Sequence, residues 1–111
     1  MQEIIDQINE KVAAAHDDIL KFFREIVAIP SMRNQIGPVG ERIGEEMKKL
    51  GYDEVYVDKY GSIVGKIGTG DKILLYDSHI DTVDVGDPDQ WEWDPFIGKV
   101  EDGKLKSACF C

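Results

Sequence analysis

Apolar side chains recur through residues 3–28 at Ile4, Ile8, Val12, Ala15, Ile19, Phe22 or Phe23, and Ile26. Steps of three and four set them on one stripe of an α-helix. His16-Asp17-Asp18 can divide that helix in two, because Asp favours caps over helix interiors. Pro30 stops it, since the residue before a proline is pushed out of the helical region. A polar loop follows over 31–37. Pro38 suits the first turn of a second helix whose buried stripe is Val39, Ile43, Met47 and Leu50. Lys48 and Lys49 complement the dipole in its last turn, and Gly51 is a fitting C-terminal cap.

Beyond Gly51 the period shortens from ~3.6 to ~2 residues. Residues 53–58 alternate, with Val55 and Val57 on one face, and predict a strand. Tyr60-Gly61 turns the chain into a second strand over 62–67. Gly68-Thr69-Gly70-Asp71 turns it again into a third over 72–76. Connections this short favour antiparallel neighbours. Ile73-Leu74-Leu75-Tyr76 is apolar on consecutive positions, which predicts a central strand covered on both faces. A long loop over 77–94 separates it from a last hairpin, 97–101 and 104–105, joined by Asp102-Gly103. Helices followed by such a meander predict an α/β layered domain with helices packed on a sheet.

Composition narrows the function classes. The chain has 111 residues and a formal net charge of −9, from 22 Asp plus Glu against 13 Lys plus Arg. That length suits one domain burying roughly 65% of its unfolded surface. The acidic balance argues against nucleic acid, whose binders need a basic face to displace counterions. No apolar stretch approaches the roughly 20 residues that span a bilayer. The N-terminus lacks the basic and apolar regions of a signal peptide, so a soluble cytoplasmic chain is expected. Two cysteines, Cys109 and Cys111, make no disulfide framework and read as ordinary thiols, because no second pair completes a tetrahedral metal site.

Two other chemistries fail on spacing. A phosphate loop would need Gly where Tyr60 stands and Ser or Thr where Ile67 follows Lys66. A calcium loop starting at Asp87 would place Trp91 at its fifth position, where an oxygen ligand belongs. His16, on the first helix, reads as a surface or interhelical residue.

What survives is Ser78-His79-Ile80-Asp81-Thr82-Val83, directly after the apolar strand. Ligands of α/β sheets collect beyond the carboxyl ends of strands. In extended backbone, residues two apart share a side, so His79 and Asp81 can face one site. A neutral imidazole ligates zinc-like ions when its second nitrogen has an acceptor, which a carboxylate can supply. Spacing alone favours a surface or capping histidine, because a bare His-x-Asp is common by chance. The surrounding loop holds seven acidic residues and no Lys or Arg. Trp91 and Trp93 in it could wall a pocket or anchor the loop to the sheet, and large aromatics mostly supply burial.

The wider string shifts the balance. LLYDSHIDTVDVGD, then WEWDPF, then GKVEDGKL, together with FFREIVAIPS at the end of the first helix, resembles the di-metal amidohydrolase family of acetylornithine deacetylase, succinyl-diaminopimelate desuccinylase, aminoacylase and carboxypeptidase G. In detail it most resembles the selenium-metabolism hydrolase branch. The resemblance covers about residues 18–105, in the family's order. It implies a mixed-sheet α/β zinc-exopeptidase-like catalytic domain, with a smaller inserted domain that forms homodimers in full-length members. It implies His79 as a metal ligand and Asp81 as the catalytic-site aspartate that contacts and orients a ligand imidazole. It also implies two divalent ions, usually zinc with cobalt or manganese possible, and a metal-activated water that attacks the amide of a small N-acyl amino acid or peptide-like substrate.

The string departs from the family after Leu105, where Lys106-Ser107-Ala108-Cys109-Phe110-Cys111 replaces a glycine-rich stretch with a bridging aspartate. Residues 1–111 are therefore expected to be the N-terminal portion of one catalytic domain, left by truncation, frameshift or an incomplete gene model. A catalytic zinc needs about three protein ligands, and only His79 carries over, so the chain alone is expected to be inactive. The competing expectation is a small non-catalytic acidic domain that binds a partner or cation through the 77–94 loop. In either case a sheet lacking further strands leaves an edge unpaired.

Overall fold

The computed structural model describes residues 1–107, so the reading of Cys109 and Cys111 lies outside the described residues. The elements run α1 (Gln2–Ala14), α2 (His16–Val27), α3 (Gly37–Lys49), β1 (Glu54–Val57), β2 (Ile63–Lys66), a 3₁₀ turn at Pro88–Gln90, β3 (Lys99–Glu101) and β4 (Lys104–Lys106). The mixed α/β character matches the sequence. The sheet does not: each antiparallel pair, β1–β2 and β3–β4, stands by itself.

The first helix breaks at Ala15, beside the predicted Asp pair, where ψ opens to 2°. It ends at Val27, earlier than Pro30 alone would require. Only the second half packs. Val27 is buried, whereas Ile4, Ile8 and Val12 of the predicted stripe are exposed, because nothing among the described residues covers α1.

α3 begins with Pro38 in its first turn and ends as expected at Gly51, whose φ is +81°. The Gly51 N–H bonds the Lys48 carbonyl and the Tyr52 N–H bonds the Met47 carbonyl, both at 3.1 Å, closing a Schellman cap. Val39 is buried, but Leu50 is 67% exposed, since it sits at the cap and past the last turn that faces the core. Gly40 and Gly44 lie on the face of α3 that receives Ile63 of β2. A Cβ built on Gly40 would stand 3.0 Å from the Ile63 side chain. The helix gives up propensity there in exchange for a close approach to the hairpin.

That hairpin pairs Glu54 with Lys66 and Val57 with Ile63. Its turn is held by Asp58, whose carboxylate accepts the N–H groups of Tyr60 at 2.8 Å and Ser62 at 2.9 Å. β2 crosses the helix end at Gly65, where an added Cβ would lie 2.6 Å from the Tyr52 ring and 2.7 Å from the Met47 sulfur. The second hairpin turns through Asp102 and Gly103, both at positive φ, as a two-residue turn of the primed type requires. It seats against α2 at Gly98, which is buried beside Val27 and Arg24.

The predicted third strand is the main correction. Residues 72–76 form no strand, and Ile73 is 91% exposed and Tyr76 87%. Consecutive apolar residues make a central strand only when neighbours supply both a hydrogen-bond ladder and two covering layers. Among the described residues no strand pairs with this segment. The meander therefore stops after two strands. The accessible surface, 9140 Å² for 12.5 kDa, measures the consequence. A folded monomer of that mass exposes about 6200 Å² and its unfolded chain about 18,000 Å², so about half the surface is buried rather than the expected two-thirds. The radius of gyration, 16.5 Å, likewise exceeds the roughly 13 Å of a compact domain this long.

Candidate functional site

The segment carrying His79 and Asp81 is extended and alternates as expected. Ile80 is half-buried and lies near Gly40 of α3, while the side chains of His79 and Asp81 are 82% and 62% exposed. They meet. His79 Nδ1 is 3.0 Å from the backbone carbonyl of Asp81 and 3.2 Å from its carboxylate Oδ1. Two acceptors at Nδ1 favour the tautomer with its proton there, which leaves a lone pair on Nε2.

Two residues outside the predicted set fix this segment. Ser31, only 1% exposed, accepts the Thr82 N–H at its carbonyl (3.1 Å), and its hydroxyl lies 3.0 Å from the Thr82 hydroxyl. Met32 and Thr82 form an isolated parallel bridge. The loop leaving α2 and the His79 segment are thus one unit, joined across fifty-one positions of sequence. The hydroxyl type of both residues was the only sequence signal, and it is a weak one.

Below them α2 and α3 are joined by a second group that spacing did not reveal. Arg42 Nε donates to Glu25 at 2.9 Å, its terminal nitrogen donates to Glu25 and, at 2.8 Å, to Glu46, and its guanidinium stacks 4.9 Å from the Phe22 ring centre. Hydrogen bonding to Glu25 and Glu46 raises the Arg42 pKa, and Arg42 in turn holds the Glu25 carboxyl below its ordinary range. Glu46 is buried on the same helix face as Val39, which the guanidinium makes tolerable.

A cavity of about 750 Å³ opens between α2, α3, β2 and the 76–82 segment. Phe22, Phe23, Ile26 and Ile43 line its floor; His79, Asp81 and Arg33 also line it. Trp91 and Trp93 do not. They pack edge to face with ring centres 5.8 Å apart, and Trp91 Nε1 donates to the Val85 carbonyl at 2.9 Å, which is the geometry of a loop anchor. Three of the seven acidic residues of the loop hold its own turns: Asp84 accepts from Gly86, Asp87 from Asp89, and Asp94 from Phe96. Among the described residues no three His, Cys, Asp or Glu side chains converge as a metal site. His79 Nε2 with Asp81 behind it suits one coordination position, short of the about three protein ligands a catalytic zinc takes. No described helix is long and apolar enough to cross a membrane.

Comparison with known proteins gives relatives of much greater length. A protein of Escherichia coli strain K12, called "Uncharacterized protein YgeY", is 41% identical over 95 residues, covering 86% of this chain and 24% of that protein. A succinyl-diaminopimelate desuccinylase of Beijerinckia indica is 30% identical over 93 residues, 78% of this chain and 24% of the enzyme. "Uncharacterized metallohydrolase MJ0457" of Methanocaldococcus jannaschii is 32% identical over 109 residues, 80% of this chain and 27% of that protein. The chain spans about a quarter of the length of these curated relatives. No family model and no solved structure matches it. Two of these three relatives carry hydrolase names, one a desuccinylase and one a metallohydrolase, as the resemblance in the motif string implied.

Proposed function

We propose that this chain supplies part of the metal site of a metal-dependent hydrolase that cleaves amide bonds, of the peptidase or deacylase type. In this reading His79 is a metal ligand through Nε2, and Asp81 is the catalytic-site carboxylate that orients an imidazole. The observation that carries it is the hold on His79 Nδ1 by both the carbonyl and the carboxylate of Asp81. That arrangement fixes tautomer and ring together, as ligating imidazoles require. A divalent ion, zinc by preference, supplies Lewis acidity and an activated water when bound. The described residues provide too few donors to hold it for turnover, so the 111-residue chain alone is inactive in this proposal. The substrate class is a small N-acyl amino acid or peptide-like amide, and the setting is cytoplasmic. The proposal extends to the selenium-metabolism hydrolase branch, which the motif string most resembles in detail.

The two histidines give the test an internal control. His16 also contacts a carboxylate, Asp17, at 3.1 Å, but from an exposed helix start. Zinc titrated into the metal-free chain is expected to move the ring resonances of His79 at lower concentration than those of His16. Asp81→Asn is expected to weaken that response, and His79→Ala to abolish the tighter of the two. Equal response of both histidines, or one indifferent to Asp81→Asn, would refute the ligand assignment. Turnover of an N-acyl amino acid by the isolated chain would refute its inactivity.

A further inference from the structure

The cavity beneath His79 has a feature that metal chemistry does not use. Its lining is largely apolar on the α2 and α3 side, yet it also includes a cation, Arg33. Arg33 lines the cavity, is exposed, and pairs with no carboxylate among the described residues. Arg42, which is half-buried, is by contrast shared between two glutamates. Arg33 is also held in place. It follows Met32, which is bridged to Thr82, and it begins a turn closed by the Gln35 N–H on the Met32 carbonyl at 3.1 Å. Its φ is +57°, a left-handed conformation that costs a side-chain-bearing residue about 1–2 kcal/mol. Such strain persists only where the surrounding contacts impose it.

We infer that the cavity is a binding site for an apolar carboxylate, with the tail on the floor of Phe22, Phe23, Ile26 and Ile43 and the anionic head on Arg33. The volume, about 750 Å³, falls within the range of small-molecule sites, about 300–1,000 Å³. The planar guanidinium matches a carboxylate with two parallel hydrogen bonds, which selects that head group over a neutral one. Asp77 and Asp81 line the cavity as well and repel an anion, so Arg33 marks the end at which the head group is accepted. Binding in this sense needs no metal, although the cavity is the one that His79 and Asp81 of the proposed metal site also line.

The test uses the whole chain in chelator, titrated with decanoate below its micellar concentration and, separately, with decanol. Binding is followed by isothermal calorimetry and by resonance shifts of the floor residues. The expected result is saturable binding of decanoate at the floor, at least about tenfold tighter than decanol. Arg33→Gln is expected to erase that preference while decanol binding stays unchanged, and Arg33→Lys to restore part of it. Arg33→Gly, which relieves the left-handed strain, keeps the fold and loses the preference in the same way. Equal affinity for the two ligands, absence of saturable binding, or a carboxylate preference that survives Arg33→Gln would overturn the inference.

Discussion

The bond between Ser31 and Thr82 predicts an asymmetry that a double-mutant cycle can read. Ser31 is 1% exposed, and its hydroxyl meets the Thr82 hydroxyl at 3.0 Å. Thr82→Val keeps the shape of the side chain and strands the Ser31 hydroxyl where water does not reach. An unsatisfied buried hydroxyl costs about 1–3 kcal/mol. Ser31→Ala leaves the Thr82 hydroxyl only half-buried, and water can partly replace the lost partner, so its cost is about 1 kcal/mol. The backbone bond from Thr82 N–H to the Ser31 carbonyl survives in both variants. The double variant removes both polar groups at once and leaves neither unsatisfied. It is expected to be more stable than the sum of the single losses by about 1–2 kcal/mol. Equilibrium unfolding in urea, followed by Trp91 and Trp93 fluorescence, reads each value. With a slope of about 1–2 kcal/mol per molar, a loss of about 2 kcal/mol moves the midpoint by about 1–2 M. Singles that add to within about 0.5 kcal/mol would refute the coupling. A larger loss in Ser31→Ala than in Thr82→Val would refute the role given to burial.

Three further outcomes follow from the packing and the charges. Gly65→Ala forces a Cβ within 2.6 Å of the Tyr52 ring and is expected to cost about 1–3 kcal/mol; a thermal melt within about 2 °C of the parent would contradict that contact. Trp91→Phe loses the bond to the Val85 carbonyl, whereas Trp93→Phe removes a buried Nε1 that has no hydrogen-bond partner. The first is expected to lower Tm more than the second, and the reverse order would sink the anchor assignment. At acid pH, Arg42 hydrogen bonding holds the Glu25 carboxyl below its ordinary value, with Lys21 assisting. The folded chain then carries fewer protons on Glu25 than the unfolded one. Its stabilisation is complete above the ordinary value of about 4.3 and is lost as pH falls through the depressed one. Glu101, held by Lys106, acts in the same sense. Glu25→Gln should therefore flatten the fall of stability below about pH 4.3, and an unchanged slope would exclude this pair as a contributor.

Why some of this was legible in the sequence and some was not depends on the distance over which each feature is decided. Gly51 and the Asp102-Gly103 turn are settled by φ at one or two residues, and both stand where the local pattern puts them. The alternation that presents His79 and Asp81 on one side is equally local, needing only extended backbone and Ile80 turned toward α3. Residues 72–76 differ because their state is decided by other strands. Four consecutive apolar residues specify what they would bury against, not whether that neighbour is present, and here Ile73 and Tyr76 stay in solvent. The Ser31–Thr82 clamp and the Glu25–Arg42–Glu46 group fail for a further reason. Their residue types are common and their partners lie fifty-one and seventeen positions apart, so no period or motif marks them. The placement of His79 beside Asp81 was therefore readable, while the contacts that hold their segment still were not. Positions that lock a site across the fold are set by packing, and packing is what a single sequence encodes least directly.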